Sequence, residues 1–154
     1  MDFSKFDQQV NLDQLQKDAE EAAKNGGSDY PVVPKGTYTA EAKKLELGET
    51  KDGRPMVKGQ FKIVEGEYKG QLLFYNRVVF GTKNDANMIG AAIGFLTKLE
   101  PSDDVGPVVF QSYSQLADLI MDIEEDVVEN MEYEVEYDPD AFNNITILEA
   151  YELD

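Results

Sequence analysis

The chain has 154 residues, of which 42% are hydrophobic and 10% aromatic, and its formal net charge is −17. This length and composition predict a globular protein with a real core, and exclude a chain that is disordered throughout. Because Cys and His are both absent, disulfides, thiolate metal sites and the most frequent general base are excluded, so we predict no catalysis and no cofactor. No stretch approaches the about 18 consecutive apolar residues of a membrane span, and we predict no membrane contact.

The N-terminal segment, Met1 to Lys24, has a helical pattern with sparse apolar residues. Asn11 or Asp13 could cap a helix over Leu12–Lys24, and the run Asn25-Gly26-Gly27-Ser28 would end it sharply. A helix with so few apolar side chains either packs lightly on the rest of the protein or forms a detachable arm.

The segment Tyr30-Pro31-Val32-Val33-Pro34 predicts an extended connector, because proline restricts its own backbone and that of the residue before it. We therefore divide the chain into an N-terminal helical arm and linker, residues 1–28, and a main domain, residues 29–154.

Three predicted strands follow, each with alternating apolar and polar residues. The first is Thr37–Leu47, in which a slip of phase between Ala42 and Leu45 predicts a β-bulge. The second is Met56–Val64 and the third is Leu72–Phe80, and Gly-containing turns connect the three.

The pattern then changes to a helical period. Asp85–Leu99 predicts one helix, and Ser112 with Gln115 in a capping-box arrangement predicts the start of another. Two more strands, Met131–Tyr137 and Ile145–Leu153, complete the chain. The predicted fold is a β-rich α+β protein, a five-stranded OB-fold-like barrel with two helices between strands 3 and 4 and an N-terminal helix. An open α+β sheet of the same elements is the alternative.

Charge is distributed unevenly along the chain. Residues 35–98 carry 11 basic and 7 acidic side chains, whereas residues 99–154 carry 17 acidic side chains and no basic one. Such asymmetry indicates either contact with nucleic acid or an acidic interaction region.

The basic middle region also contains the aromatic residues that a single-stranded nucleic acid needs, because cations neutralise phosphates and aromatic rings stack on bases. Strands 2 and 3 form the face on which OB-folds bind oligomers, with the loops between strands 1 and 2 and between strands 4 and 5 as clamps. The candidate nucleic-acid-binding residues are Lys51, Arg54, Lys58, Gln60, Lys62, Tyr68, Lys69, Tyr75 and Arg77. The second clamp, Asp138–Asn144, holds two acids and no base, so it would contribute only if Phe142 stacks. The alternative is an ordinary solvated strand face, with Tyr75 covering the core.

Five stretches of the chain have a familiar pattern, residues 1–7, 29–38, 53–56, 61–71 and 143–145. Through them the chain resembles a family of small bacteriophage proteins of recombination and replication modules, regarded as single-stranded-DNA-binding proteins or their relatives. The resemblance implies an OB-like barrel that coats single-stranded DNA without catalysis in the cytoplasm of the bacterial host. It also implies phage recombinase or replication proteins as partners, through the acidic C-terminal region.

Three hypotheses therefore follow. The first is a non-catalytic single-stranded-DNA-binding protein of phage replication and recombination, which binds by base stacking and phosphate neutralisation. The second is an acidic DNA mimic or adaptor that binds a host or phage DNA-processing protein. The third is a carboxylate-metal nuclease around Asp138 and Asp140. Sequence preference, DNA against RNA, partner identity and the formation of a homo-oligomer stay open.

Overall fold

The computed structural model describes residues 4–7, 11–24, 33–141 and 144–153. The chain separates into two compact units, Met1–Val32 and Val33–Asp154. The predicted boundary between residues 28 and 29 lies outside the described residues.

The N-terminal unit contains two helices, α1 (Ser4–Asp7) and α2 (Leu12–Lys24). The side chain of Asn11 caps α2, since its Oδ1 accepts a hydrogen bond from the Gln14 main-chain N at 3.2 Å. The predicted helix over Leu12–Lys24 is thus confirmed, with Asn11 as its cap. The predicted helix stop at residues 25–28 and the first residues of the connector lie outside the described residues.

The second unit is an α+β domain. Its elements in chain order are β1 (Gly36–Glu49), β2 (Pro55–Ile63), β3 (Leu72–Val78), α3 (Asp85–Lys98), a 3-10 turn (Asp103–Val105), α4 (Tyr113–Val127), β4 (Met131–Tyr137) and β5 (Ile145–Glu152). The predicted order of three strands, two helices and two strands is confirmed. Local signals fix the helix starts: Asn84 accepts from Asn87 N at 3.1 Å, and Ser112 accepts from Gln115 N at 3.0 Å.

All five strands form one antiparallel sheet in the order β3-β2-β1-β4-β5. The register between β1 and β2 shifts between Ala42 and Lys44, which confirms the predicted bulge. Because of that bulge, Ala40, Ala42 and Leu45 are all buried on the inner face of β1.

The sheet is not closed into a barrel, contrary to the first sequence-based prediction, and the open α+β sheet describes it instead. Strands β3 and β5 are its edges, and no ladder joins them among the described residues. Helix α3 packs at this opening: the Phe95 ring stacks on the Tyr75 ring of β3 at 3.8 Å and 3°. A cavity of about 160 Å³ lies among α3, Tyr75 and the Ile145–Ile147 segment of β5.

Helix α4 packs against β1. Its buried stripe consists of Leu116, Leu119, Ile120, Ile123 and Val127, as the helical spacing predicts. At the bulge of β1, the main-chain N of Leu45 donates to Glu124 Oε2 of α4 at 2.7 Å. The pairing of β1 with β4 ends at Ala40, and a helix carboxylate thus satisfies a main-chain donor of β1 beyond that point. Within the described parts of the chain, no helix has the length and apolarity needed to cross a bilayer.

Candidate nucleic-acid interface

The outer face of β2 carries three of the predicted site residues. Val57, Gly59, Phe61 and Ile63 are buried on the inner face, and the residues between them point outward. These are Lys58, Gln60 and Lys62, which agrees with the alternation expected from the sequence.

The register of β3 decides which residues lie beside them. Residues directly opposite each other in an antiparallel pair share a face. Asn76 lies opposite Lys58, Phe74 opposite Gln60, and Leu72 opposite Lys62. Phe74, which is 47% exposed, is therefore the aromatic ring between these cations on the outer face.

Tyr75 and Arg77 do not belong to this face, which corrects their assignment as surface residues. They are only 2% and 4% exposed, because the strand alternation turns them into the core. Arg77 Nε donates to the Tyr75 hydroxyl at 2.9 Å, and the Arg77 guanidinium lies 5.5 Å from the Tyr75 ring centroid. Burial also raises the pKa of Tyr75. Both residues therefore have a structural role, and neither can stack on a base or contact a phosphate in this conformation.

The cations of this face differ in how strongly they are neutralised. On the adjoining part of β1, Lys43 pairs with Glu41 at 3.0 Å and Lys44 with Glu46 at 3.7 Å. Across the described ranges, neither Lys58 nor Lys62 forms an ion pair. Glu46 lies opposite Lys58 and Glu41 opposite Lys62. These carboxylates pair with Lys44 and Lys43, so the two ammonium groups remain available to an anionic ligand.

The stem of Lys58 crosses β1 at Gly48. A Cβ atom added to Gly48 would come within 3.0 Å of Lys58 Cδ. The glycine thus provides the space in which this lysine lies flat on the sheet. We call the outer-face residues Lys44, Lys58, Gln60, Lys62, Phe74 and Asn76 the basic face. A shallow depression of about 510 Å³ lies over most of it.

The turn between β1 and β2 holds the predicted residues Lys51 and Arg54. Lys51 is exposed, whereas Arg54 Nε contacts both carboxylate oxygens of Asp52, at 3.0 and 3.2 Å. Hydrogen bonds from Thr50 and Arg54 lower the pKa of Asp52. Arg54 therefore stabilises the turn, and Lys51 is the more available cation.

The loop between β2 and β3 holds the predicted residues Tyr68 and Lys69. Tyr68 is half-buried and packs edge-to-face on Tyr38, with ring centroids 6.0 Å apart. Lys69 is exposed, and in the described parts of the chain it has no ion pair. The loop thus supplies a cation, and its aromatic ring is partly used in packing.

The loop between β4 and β5 is the second predicted clamp. Asp138 pairs with Lys35 at 3.5 Å and accepts from Asp140 N at 3.0 Å. Phe142, the residue proposed to stack, lies outside the described residues. No group of three or more acidic side chains able to hold a metal ion occurs in the described ranges.

The outer face of β4 and β5 has the opposite charge. Glu134 lies directly opposite Glu149, and Glu132 lies opposite Tyr151. Desolvation raises the pKa of Tyr151, and the charges of Glu134 and Glu149 raise it further. We call Glu132, Glu134, Glu136 and Glu149 the acidic face. The β2–β3 half of the outer surface thus carries lysines, with Glu41 and Glu46 of β1 opposite two of them, and the β4–β5 half carries carboxylates.

The sequence analysis chose Tyr75 as the base-stacking residue of this strand and therefore missed its neighbour Phe74. Both series of the third strand, Leu72-Phe74-Asn76 and Leu73-Tyr75-Arg77, mix apolar and polar residues, so alternation alone does not say which faces water. The arginine made the inner series resemble the exposed one. The missing information was the hairpin register, and a shift of one residue exchanges the two faces.

A protein-family model described as a protein of unknown function (DUF669) matches residues 7–100 of this chain. The chain belongs to the DUF669 family. The DUF669 match includes β1, β2, β3 and α3, and therefore the whole basic face, whereas the acidic face lies beyond it. The search of curated proteins found no match to the chain.

Proposed function

We propose that this protein binds single-stranded DNA on its basic face and does no chemistry on it. Bases stack on Phe74, and phosphates lie beside Lys58 and Lys62. The observation that carries the proposal is the position of an aromatic ring, 47% exposed, between two lysines that form no ion pair in the described residues. Stacking on such a ring contributes about 1–3 kcal/mol per base and tolerates any sequence.

The arrangement of the sheet supports the same proposal. If the edge strands β3 and β5 were joined, the order β3-β2-β1-β4-β5 would close into a five-stranded barrel. We infer an OB-like sheet that is open at the β3–β5 edges, and OB-folds bind oligomers on strands 2 and 3. Lys51 and Lys69, at opposite ends of β2, extend the positive charge beyond the sheet.

The biological setting belongs to the proposal as well. It rests on the resemblance to phage recombination and replication proteins, and it includes activity in the host cytoplasm and contact with phage recombinase or replication proteins. The acidic face confines a polyanion to the other half of the sheet, because carboxylates repel phosphates.

Fluorescence anisotropy with a labelled oligothymidine of about 30 nucleotides tests this function. We expect saturable binding at about 50 mM salt, weaker binding at about 200 mM, and little binding of a duplex. Phe74→Ala should weaken the affinity by about 1–3 kcal/mol. Met121→Ala is the matched control, since Met121 is an exposed apolar residue on α4. Absence of single-strand binding at the lower salt concentration would overturn the proposal.

A second candidate function has its own observation. Like charges directly opposite each other destabilise a sheet, yet Glu134 and Glu149 are cross-strand partners. A destabilising pair of this kind is explained if the acidic face serves binding. In this second candidate, the acidic face imitates DNA phosphates and binds a basic DNA-processing protein. The test is whether the protein displaces labelled DNA from a purified host DNA-binding protein. Displacement that is lost in the Glu134→Gln, Glu149→Gln double variant would favour this function.

A further inference from the structure

A second exposed aromatic residue follows β3. Phe80 is 49% exposed, and its ring contacts Tyr113 edge-to-face with centroids 5.8 Å apart. Tyr113 in turn contacts Phe110 at 5.2 Å. About half of the Phe80 side chain is thus exposed to solvent, although its ring packs on Tyr113.

The backbone around Phe80 is held in place on both sides. Val79 N donates to Pro55 O at 3.1 Å, and the Tyr113 hydroxyl donates to Val79 O at 2.8 Å. After Phe80, the main-chain N of Gly81 and that of Thr82 donate to the Asp85 carboxylate at 3.2 and 2.8 Å. A ring that is both exposed and fixed loses little conformational entropy when a ligand stacks on it.

Phe80 lies two residues beyond the end of β3. The bond from Val79 N to Pro55 O extends the β2–β3 ladder beyond Val78, so the alternation continues with Val79 buried and Phe80 exposed. The two exposed rings, Phe74 and Phe80, are six residues apart, which is at most about 20 Å of extended chain. Lys58, which lies opposite Asn76, falls between them.

Cations also accompany Phe80. Arg54 Nη1 donates to Gly81 O at 3.4 Å, and Lys83 is exposed without an ion pair among the described residues. The nearby carboxylates are already engaged, Asp52 by Arg54 and Asp85 by the Gly81–Thr82 turn. The charges around Phe80 are therefore balanced, and Lys83 is the cation there that a phosphate can contact without displacing a carboxylate.

We propose that Phe80 is a second base-stacking platform, occupied by another base of the same single strand that crosses Phe74. This inference rests on the proposed function and adds a length requirement to it. At the stacked spacing of about 3.4 Å, a strand covers the about 20 Å between the rings in about six steps, and an extended single strand needs about half as many. A strand of about two nucleotides therefore reaches only one ring, whereas one of about twelve reaches both, within the range known for OB-folds.

The test compares oligothymidines of about two and about twelve nucleotides on the full chain. Phe80→Leu keeps an apolar contact for Tyr113 but removes the aromatic face. We expect Phe80→Leu to weaken binding of the longer strand about tenfold and that of the shorter strand less than about twofold. Phe80→Trp keeps an aromatic face and should bind the longer strand as the wild type does. Phe74→Leu should weaken the binding of both strands.

The outcomes separate the two proposals. If Phe80→Leu leaves the longer strand unaffected while Phe74→Leu weakens it, the second platform is overturned and the proposed function stands. If no strand binds at low salt, both are overturned. Met121→Leu is the control for an exposed apolar change elsewhere. Thermal unfolding of every variant verifies that the fold is kept. If Phe80→Leu unfolds, Phe80→Tyr replaces it. We expect wild-type affinity for Phe80→Tyr, and a tenfold loss would overturn the platform.

Discussion

The side-chain amide of Asn144 donates to the main-chain carbonyl of Phe74 at 2.6 Å. This bond joins the residue before β5 to the edge strand β3, between which the described residues form no ladder. The Asn144 amide thus satisfies the Phe74 carbonyl, which has no strand partner on that side in the described residues. The ring of the same residue lies at the centre of the basic face.

Removing this bond should destabilise the domain slightly. For Asn144→Ala we expect a decrease of about 1 kcal/mol in the free energy of unfolding, since one hydrogen bond is lost and the Phe74 carbonyl turns to water. Urea unfolding followed by circular dichroism measures it. Asn87→Ala is the control, because Asn87 is an exposed residue of α3, where alanine is the better helix former. An unchanged unfolding midpoint for Asn144→Ala would contradict the role of this bond.

The buried pair Tyr75 and Arg77 should affect stability. Tyr75→Phe removes the hydroxyl that accepts from Arg77 Nε, and we expect a cost of about 1–3 kcal/mol because a buried guanidinium N–H loses its acceptor. The affinity for single-stranded DNA should stay the same wherever the variant is folded. A stable Tyr75→Phe variant with weakened DNA binding would show that Tyr75 contributes to the binding site after all.

Two glycines should respond in opposite ways to the same substitution. A Cβ on Gly59 would lie 3.2 Å from Phe61 Cε2 and 3.3 Å from Leu45 Cδ2, both in the core. Gly59→Ala should therefore destabilise the protein by about 1–3 kcal/mol. Gly90 is exposed in α3 with open space around it, so Gly90→Ala should stabilise by up to about 1 kcal/mol. Thermal unfolding of both variants checks the sign, and equal shifts would refute this account of the core.

Stability should fall at alkaline pH. Tyr133 is buried and donates to Leu99 O at 2.7 Å. Burial raises its pKa above the ordinary value, and the charges of Asp126 and Glu100 raise it further. Because the folded-state pKa is the higher one, this contribution is complete below about pH 10, the unfolded value, and is lost as the pH rises above it.

Urea unfolding between about pH 8 and pH 11 measures this dependence. Tyr133→Phe should be less stable at neutral pH, since the hydroxyl bond is lost, but its stability should decline less steeply with pH. Burial raises the pKa of Tyr75 too, so a part of the slope should remain. Identical slopes for Tyr133→Phe and the wild type would exclude Tyr133 as a source.

Salt dependence should separate a binding lysine from an ordinary surface lysine. Lys58→Ala should reduce the slope of log affinity against log salt by about 0.7, because one phosphate contact is lost. Lys98→Ala removes the same charge from an exposed position on α3 and should leave the slope unchanged. Anisotropy titrations at four salt concentrations compare them, and equal slopes for the two variants would argue against the basic face.

Local features of the fold are readable from the sequence. The strands, the helices and the bulge of β1 follow from alternation, helical spacing and caps, because each depends on residues close together in the chain. The outward position of Lys58, Gln60 and Lys62 follows in the same way, since their neighbours Val57, Phe61 and Ile63 are plainly apolar. The uneven charge likewise needs no coordinates.

Other features depend on contacts between residues far apart. The register of β2 and β3 decided that Phe74, and not Tyr75, lies on the basic face, and the stack of Phe95 on Tyr75 determined how α3 packs at the open edge. Neither has a local signal, because pairing register and helix position are set by how whole elements bury their surfaces together. Composition, element order and the charged strand face were thus determined by the sequence alone. The partner of each side chain was decided only by the tertiary structure, because burial is a property of the assembled core.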